Sequence, residues 1–468
     1  MKRLIPVAAF VAALLGSCAH KTAPAPENEF PHADWSRNAV IYEVNTRQYS
    51  DSGNFAGVME QLPRLKELGV DILWFMPIHP ISELNRKGEL GSYYAVRDYK
   101  AVNPEFGTFD DFKATVDSAH ALGMKVIIDW VPNHTGCDNA WVTEHPEYYK
   151  LNEDSVMYGP FDWTDVYQLD YSKAGTRAAM TDAMQFWISE AGIDGFRCDV
   201  AGMVPVDFWN EARTALDSIA GRPIFMLAEA VEPELTEKAF DMDYNWPMKD
   251  LFSAIAATSG HYTFEKDGEI KSFPEKHAAD IDSLLHQQKA GYPADAYLMN
   301  MTSNHDLNSW EGTEFDRLGA FAPAFAVLTY TLPGMPVIYT GQETGLDRAL
   351  EFFRKDAAPQ WEPRNDYFTF YKTLNALKHS RSELAAGVRG AEPVMLGTSS
   401  PDVLAFVREG ADGLTYTAVN LGTEELPVFA GEVPVFDNAT DVMTGAPAEL
   451  KTTLAPGEYQ LITASARH

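Results

Sequence analysis

Gly195-Phe196-Arg197-Cys198-Asp199 follows Ile193-Asp194, and the stretch reads as a buried β-strand that ends in charge. Side chains two apart on a strand share a face, so Arg197 and Asp199 point the same way. An arginine so placed holds a neighbouring carboxylate ionised and oriented. Three more segments have the same form, an apolar run closed by polar groups. They are Asp129-Trp130-Val131-Pro132-Asn133-His134, Leu227-Ala228-Glu229 and Ser303-Asn304-His305-Asp306. Apolar runs at 39–44, 70–76, 124–131, 193–200, 223–229, 295–302 and 335–339 are read as strands, with an eighth, weaker in pattern, near 240–246.

Helical patterns separate the runs. Phe112, Val116, Ala119 and Leu122 fall on one helical face, and Thr108-Phe109-Asp110-Asp111 reads as the cap that starts it. Leu62, Leu65 and Leu68 mark an earlier helix; Met180, Met184, Trp187 and Ile188 mark a later one. Strands alternating with helices predict an α/β fold, a (β/α)8 TIM barrel over residues 35–380. One connection, about 135–171, is too long for a simple link and predicts a short inserted subdomain after strand 3. It holds Trp141, His145, Tyr148, Tyr149, Tyr158, Phe161 and Trp163. From 381 to 468 short alternating runs divided by Gly, Asp and Pro predict a C-terminal antiparallel β-sandwich.

The chain has 468 residues and a formal charge of −30. Such acidity excludes a nucleic-acid binder, which needs lysine and arginine against phosphate. Lys2-Arg3 and the apolar run 4–15 read as an export signal spanning 1–17, too short to cross a bilayer. Leu15-Gly16-Ser17-Cys18 resembles a bacterial lipoprotein box, which implies lipid on Cys18 and membrane attachment in the cell envelope. Residues 18–34 then read as a flexible tether. Cys137 and Cys198 are read as free thiols, a disulfide between them being the other possibility.

Taken in order, the four segments resemble the shared regions of glycoside hydrolase family 13, the α-amylase family. The resemblance implies three carboxylates at one centre for cleaving α-linked glucans: Asp199 as nucleophile, Glu229 as general acid and base, Asp306 as the group that grips sugar hydroxyls. Glu229 should hold a proton near neutral pH; Glu232 and Glu234 are its nearby competitors. Arg197, His134, His305 and Tyr94 are the implied sugar-binding residues. Tyr94 stands four residues before Asp98 in Gly91-Ser92-Tyr93-Tyr94-Ala95-Val96-Arg97-Asp98, with Tyr93 the competing assignment and Asp98 as support.

The chain departs from the family where many α-amylases carry Lys-His, three and four residues after the nucleophile. Here Gly202 and Met203 stand there. The family's calcium site maps onto Asn133 and Asp170; oxygen ligands from several segments suit Ca2+, while the other reading has Asn133 pinning a loop. No organic cofactor is expected. The leading expectation is a retaining hydrolase of α-1,4 bonds in starch, glycogen or maltooligosaccharides. An exo-α-glucosidase or glucan transglycosylase with the same residues is one alternative, and a catalytically inactive glycan-binding protein another.

Overall fold

The computed structural model describes residues 30–266, 269–411 and 413–465. The export signal, Cys18 and the tether up to residue 29 lie outside them. Eight strands close into a barrel: β1 Ile41–Val44, β2 Ile72–Phe75, β3 Lys125–Trp130, β4 Gly195–Cys198, β5 Phe225–Ala228, β6 Met242–Tyr244, β7 Tyr297–Asn300 and β8 Met335–Tyr339. Every pairing is parallel and follows chain order, β8 closing on β1. The eighth expected strand, near 240–246, is β6.

The strands are buried on both faces, as a parallel barrel requires. Ile41, Ile72, Trp74, Ile127, Phe225, Leu227, Met242 and Met299 fill the lumen. Their neighbours Tyr42, Leu73, Val126, Ile128, Phe196 and Met226 pack outward against the helices. Gly195 is needed where β4 meets β5, because a Cβ there would stand 1.8 Å from the Phe225 carbonyl oxygen.

Helices follow most strands: α1 Phe55–Leu68, α2 Phe109–Ala121, α3 Ala174–Phe186, α4 Val206–Ala220, α5 Trp246–Thr258, α6 Asp280–Gly291, α7 Ala322–Thr331 and α8 Asp366–Ser380. Thr108 and Asp111 form the capping box of α2, and Phe112, Val116 and Ala119 are its buried face. The alternation breaks once. Between β5 and β6 the chain makes only the 3-10 turn Pro233–Glu237, and two helices, α5 and α6, lie between β6 and β7.

After β3 the chain leaves the barrel. His134–Gly136 and Val166–Gln168 pair antiparallel and frame the excursion. Its aromatic side chains divide: Tyr149 is buried and Trp141 packs tilted against Tyr99 and edge-on to Tyr148, while Tyr158 and Phe161 are exposed. Beyond α8, a five-stranded antiparallel sheet built on Val403–Gly410, Gly413–Asn420 and Tyr459–Ala464 faces the two-stranded pair Leu426–Pro427 and Thr453–Leu454. Val403, Val407, Tyr416, Val428, Leu454 and Ile462 form the core between them. Leu404, Phe406, Val419 and Leu421 on the opposite face pack with Phe325 and Leu328 of α7.

Within the stretch read as tether, His32 Nδ1 donates to the Asp241 carboxylate at 2.9 Å and its ring stacks on Tyr297 of β7. Among the described residues no helix is long and apolar enough to cross a membrane. Cys137 and Cys198 are both buried and unbonded to each other.

Candidate active site

The polar groups gather at the C-terminal ends of the strands, where barrel loops build sites. Glu43 lies on the inner face of β1, Asp129 on that of β3 and Arg197 on that of β4; Asp199 and Glu229 follow β4 and β5. Arg197 is fully buried and stands at the centre. Its Nη1 donates to Asp129 Oδ1 at 2.8 Å and to Asp199 Oδ1 at 3.2 Å, and its Nε to the Tyr244 hydroxyl at 3.1 Å. Its Nη2 lies 2.9 Å from Glu229 Oε2, an ion pair set off the axis of a hydrogen bond. That oxygen accepts a hydrogen bond from the Val200 N–H at 2.9 Å.

One guanidinium therefore touches three carboxylates from three strands. The expectation that Arg197 binds sugar is corrected. It has no exposed surface and lies behind the cavity wall, so it positions the acids.

Asp199, Glu229 and Asp306 line one cavity of about 330 Å3, together with Tyr94, His134 and His305. Its volume falls in the range of small-ligand sites. Of the two adjacent tyrosines, Tyr94 is the one that reaches it. Tyr93 is buried in the wall behind, donating to Asn45 under the Arg47 guanidinium. Asp98 does not support Tyr94, since its carboxylate accepts from the Lys100 N–H. Of the excursion's aromatics, Trp163 lines the cavity, edge-on to His134.

Two acids that the sequence reading did not assign complete the site. Glu43 Oε1 lies 2.5 Å from His305 Nδ1, and its Oε2 accepts the His305 backbone N–H at 3.2 Å. Asp129 Oδ2 accepts from the Tyr94 hydroxyl at 3.1 Å and from the Trp74 indole at 3.2 Å. Burial alone lowers the His305 imidazole, but Asp306 and Glu43 outweigh it and raise it to about 9. A charged imidazole donates from both nitrogens. Its Nδ1–H thus goes to Glu43 and its Nε2–H to Tyr94 Oη at 2.7 Å, leaving Tyr94 to donate to Asp129. His134 is the opposite case: burial pushes it down to about 3. The neutral ring accepts at Nδ1 from the Asn133 amide at 3.3 Å, so its proton sits on Nε2.

Burial raises the Asp199 carboxyl well above the usual range, and Glu229 adds to the rise while Arg197 opposes it. Asp129 is raised by burial, against Arg197 and His305, to about 6. Two acids sharing one guanidinium in a dry pocket hold a proton between them more readily than two acids in water. The backbone just beyond Asp199 is strained: Val200 has φ 38°, a left-handed conformation that a β-branched residue rarely adopts.

Asn133 and Asp170 do not fit a calcium ion. The Asn133 amide oxygen, the atom a metal would use, accepts from Gln168 Nε2 at 3.2 Å. Asp170 caps its own turn at Ser172 and has the Lys173 ammonium 3.6 Å away. The reading of Asn133 as a loop pin agrees with these bonds, to which the Leu169 N–H to Asn133 carbonyl bond adds.

A family model described as the α-amylase catalytic domain matches residues 34–158 and 149–365. The α-amylase MalA of Haloarcula japonica is 26% identical over 88% of this chain, which spans 59% of that protein. Neopullulanase 2 of Thermoactinomyces vulgaris is 27% identical over 92% of this chain and 79% of its own length. Among solved structures, an α-amylase from Lactobacillus plantarum superposes with a TM-score of 0.77 at 31% identity, covering 91% of this chain and 99% of that one. With the barrel and its ring of carboxylates, these matches establish that the chain belongs to the α-amylase family and is a glycoside hydrolase.

Proposed function

We propose that the chain is a retaining hydrolase of α-1,4-linked glucose in starch, glycogen or maltooligosaccharides. The observation that carries the reading is the convergence of Asp199, Glu229 and Asp306 on one cavity, with Arg197 behind the first two. Glu229 gives its proton to the glycosidic oxygen as the C1–O bond breaks. Asp199, ionised, attacks C1 from the other face and forms a glycosyl ester. Glu229 then takes a proton from water, the water oxygen bonds to C1, and Asp199 leaves as carboxylate. Arg197 keeps Asp199 charged for the attack and faces Glu229 without donating along a hydrogen-bond axis. Asp306 is the acceptor for sugar hydroxyls, and Tyr94 the apolar face beneath the ring.

Asp199→Asn and Glu229→Gln test this. Each should lower turnover of maltoheptaose by at least about a thousandfold with the circular-dichroism spectrum unchanged. Full activity in either purified variant overturns the assignment.

One observation favours the second reading, exo-action or glucan transfer. Gly202 stands where many α-amylases have lysine, and a Cβ there would lie 2.5 Å from the Glu232 carboxylate. The cation that a lysine would bring is thus absent beside Asp199, and the neighbour of Gly202 is the Glu232 carboxylate. A timed product profile on maltoheptaose separates the two: longer oligosaccharides signal transfer, glucose with maltohexaose as first products exo-action. The inactive, glycan-binding reading has no missing carboxylate to support it. We also propose that lipid on Cys18 holds the enzyme on the cell envelope; the support is the sequence of residues 1–18, and release of Cys18→Ser from the membrane fraction is the test.

A further inference from the structure

We infer that Trp310, backed by Phe352, is a sugar-stacking platform that sets the length of glucan the cleft binds; the inference deepens the glucan reading above and rests on it. Trp310 is 53% exposed, although tryptophan is among the side chains that gain most from burial. It lines the same cavity as the three carboxylates. It is carried there by the π-helical turn Leu307–Glu311, which starts directly after Asp306.

The surface is continuous with the reacting site. The Phe352 ring lies nearly parallel to Tyr94, 10° between planes and 6.5 Å between centroids. Trp310 packs on Phe352 at 5.2 Å. An aromatic wall thus runs from beneath the proposed cleavage point outward to Trp310. The C–H faces of glucose rings are its chemical complement, and an exposed apolar patch in a cleft marks a binding site.

The wall is built in advance. Asn308, buried in the π-turn, accepts from the Leu350 N–H at 2.7 Å and donates to the Arg348 carbonyl at 3.4 Å. Gln48 Nε2 donates to the Glu351 and Arg354 carbonyls at 2.5 and 2.7 Å, and Gln48 Oε1 accepts from the Asp356 N–H at 2.8 Å. Arg47 donates to the Phe352 carbonyl at 3.1 Å. A loop fixed by so many bonds loses little freedom when a sugar lands on it.

The test uses the full chain with Glu229→Gln, so that substrate is bound and not consumed. Calorimetry with maltotriose and maltoheptaose reads the platform. Adding Trp310→Ala should weaken maltoheptaose binding roughly tenfold and quench the fluorescence change on binding, while Trp310→Phe restores most of the affinity. Maltoheptaose affinity within twofold of the parent overturns the platform. In the otherwise native enzyme, the Trp310→Ala loss should fall on KM more than on kcat. Wild-type hydrolysis of maltoheptaose with KM unmoved by Trp310→Ala leaves the proposed function standing and removes the platform. A wild type that neither binds nor cleaves maltoheptaose overturns both.

Discussion

Glu43 and His305, 262 residues apart, meet at 2.5 Å beneath the floor of the cavity, each with almost no exposed side-chain surface. Asp306 and this carboxylate together make the imidazole a buried cation, and that charge fixes which way the Tyr94 hydroxyl's hydrogen bonds run. Glu43→Gln removes the charge and keeps the shape. Burial then acts against fewer opposing charges, so His305 titrates below about 9. The alkaline limb of the pH–rate profile should shift to lower pH, with a matching shift of the His305 imidazole in NMR titration. An unmoved limb and resonance would refute the coupling.

The same pair dictates how stability depends on alkali. The folded His305 binds its proton more tightly than an unfolded histidine at roughly 6.5. Its contribution is therefore complete below that value and drains away as pH rises through about 9. The wild-type melting temperature should fall across that window more steeply than that of Glu43→Gln. Parallel curves would show that the pair does not carry this linkage.

Arg197 is the keystone of the charge balance. Removing the cation that several buried acids share leaves them uncompensated and costs about 3–5 kcal/mol. Arg197→Met leaves Asp129, Asp199 and Glu229 facing each other without a cation. This variant should lose all activity, and its melting temperature should recover as the pH is lowered and the acids take up protons. Arg197→Lys keeps the charge but not the fork that reaches several acids at once, so it should fold better than Arg197→Met and still turn over at least about a hundredfold more slowly. Wild-type rates in Arg197→Lys would show that charge alone suffices.

Much of this was legible in the chain. Each barrel strand is an apolar run with its own boundary, and the three carboxylates stand at the ends of such runs. What escaped notice did so for identifiable reasons. The crossing from β5 to β6 has no helix, which an alternating pattern cannot announce. Glu43 interrupts Ile41-Tyr42-Glu43-Val44, and an acid inside a buried strand is itself a signal of a buried partner; His305, however, obeys no spacing rule that would name it. Asp129 was in plain view and went unassigned, because its partners come from β2, β4 and the loop after β2. The aromatics of 135–171 show what a sequence pattern leaves open: only packing decides that Trp163 faces the cavity while Tyr149 turns inward.

Asp199 should be a residue whose removal stabilises the protein. Its carboxyl is raised well above the ordinary aspartate range, chiefly by burial. Folding therefore favours the protonated form, and the stability it carries is lost as pH rises from about 4 through the raised folded value. Above that folded value the charge is held at a cost. Asp199→Asn should melt about 1–3 °C above wild type at pH 7, with the gain shrinking toward pH 4. The acid limb of wild-type activity should lie above the usual aspartate value, since attack needs the ionised form. A variant that melts lower at pH 7 than at pH 4, relative to wild type, would contradict this.

Chelation should do nothing. Gln168 occupies the Asn133 oxygen, and the Lys173 ammonium stands beside Asp170, where a metal charge would otherwise fall. Incubation with EDTA followed by gel filtration should leave the melting temperature within about 1 °C of the starting value; a one-kcal/mol loss would move it further. Added Ca2+ should restore nothing because nothing was lost. A drop on chelation that calcium reverses would show that a cation displaces these contacts.

Val200 ties strain to catalysis. Its φ of 38° costs a β-branched residue about 1–3 kcal/mol, and its N–H is spent on Glu229 Oε2 at 2.9 Å. The turn thus aims both acids, Asp199 through the chain and Glu229 through the hydrogen bond. Glycine adopts this conformation freely, at the price of a looser unfolded chain of about 0.5–1 kcal/mol. Val200→Gly should therefore melt at or above the wild-type temperature, yet lower kcat roughly tenfold or more as the acids lose their fixed separation. Because Val200 also lines the cavity, Val200→Ala, which keeps the strain and trims the side chain, is the control. Val200→Ala should lose stability and keep more of kcat than Val200→Gly. If the alanine variant loses as much kcat as the glycine variant, side-chain contact rather than backbone geometry is what the site needs from residue 200.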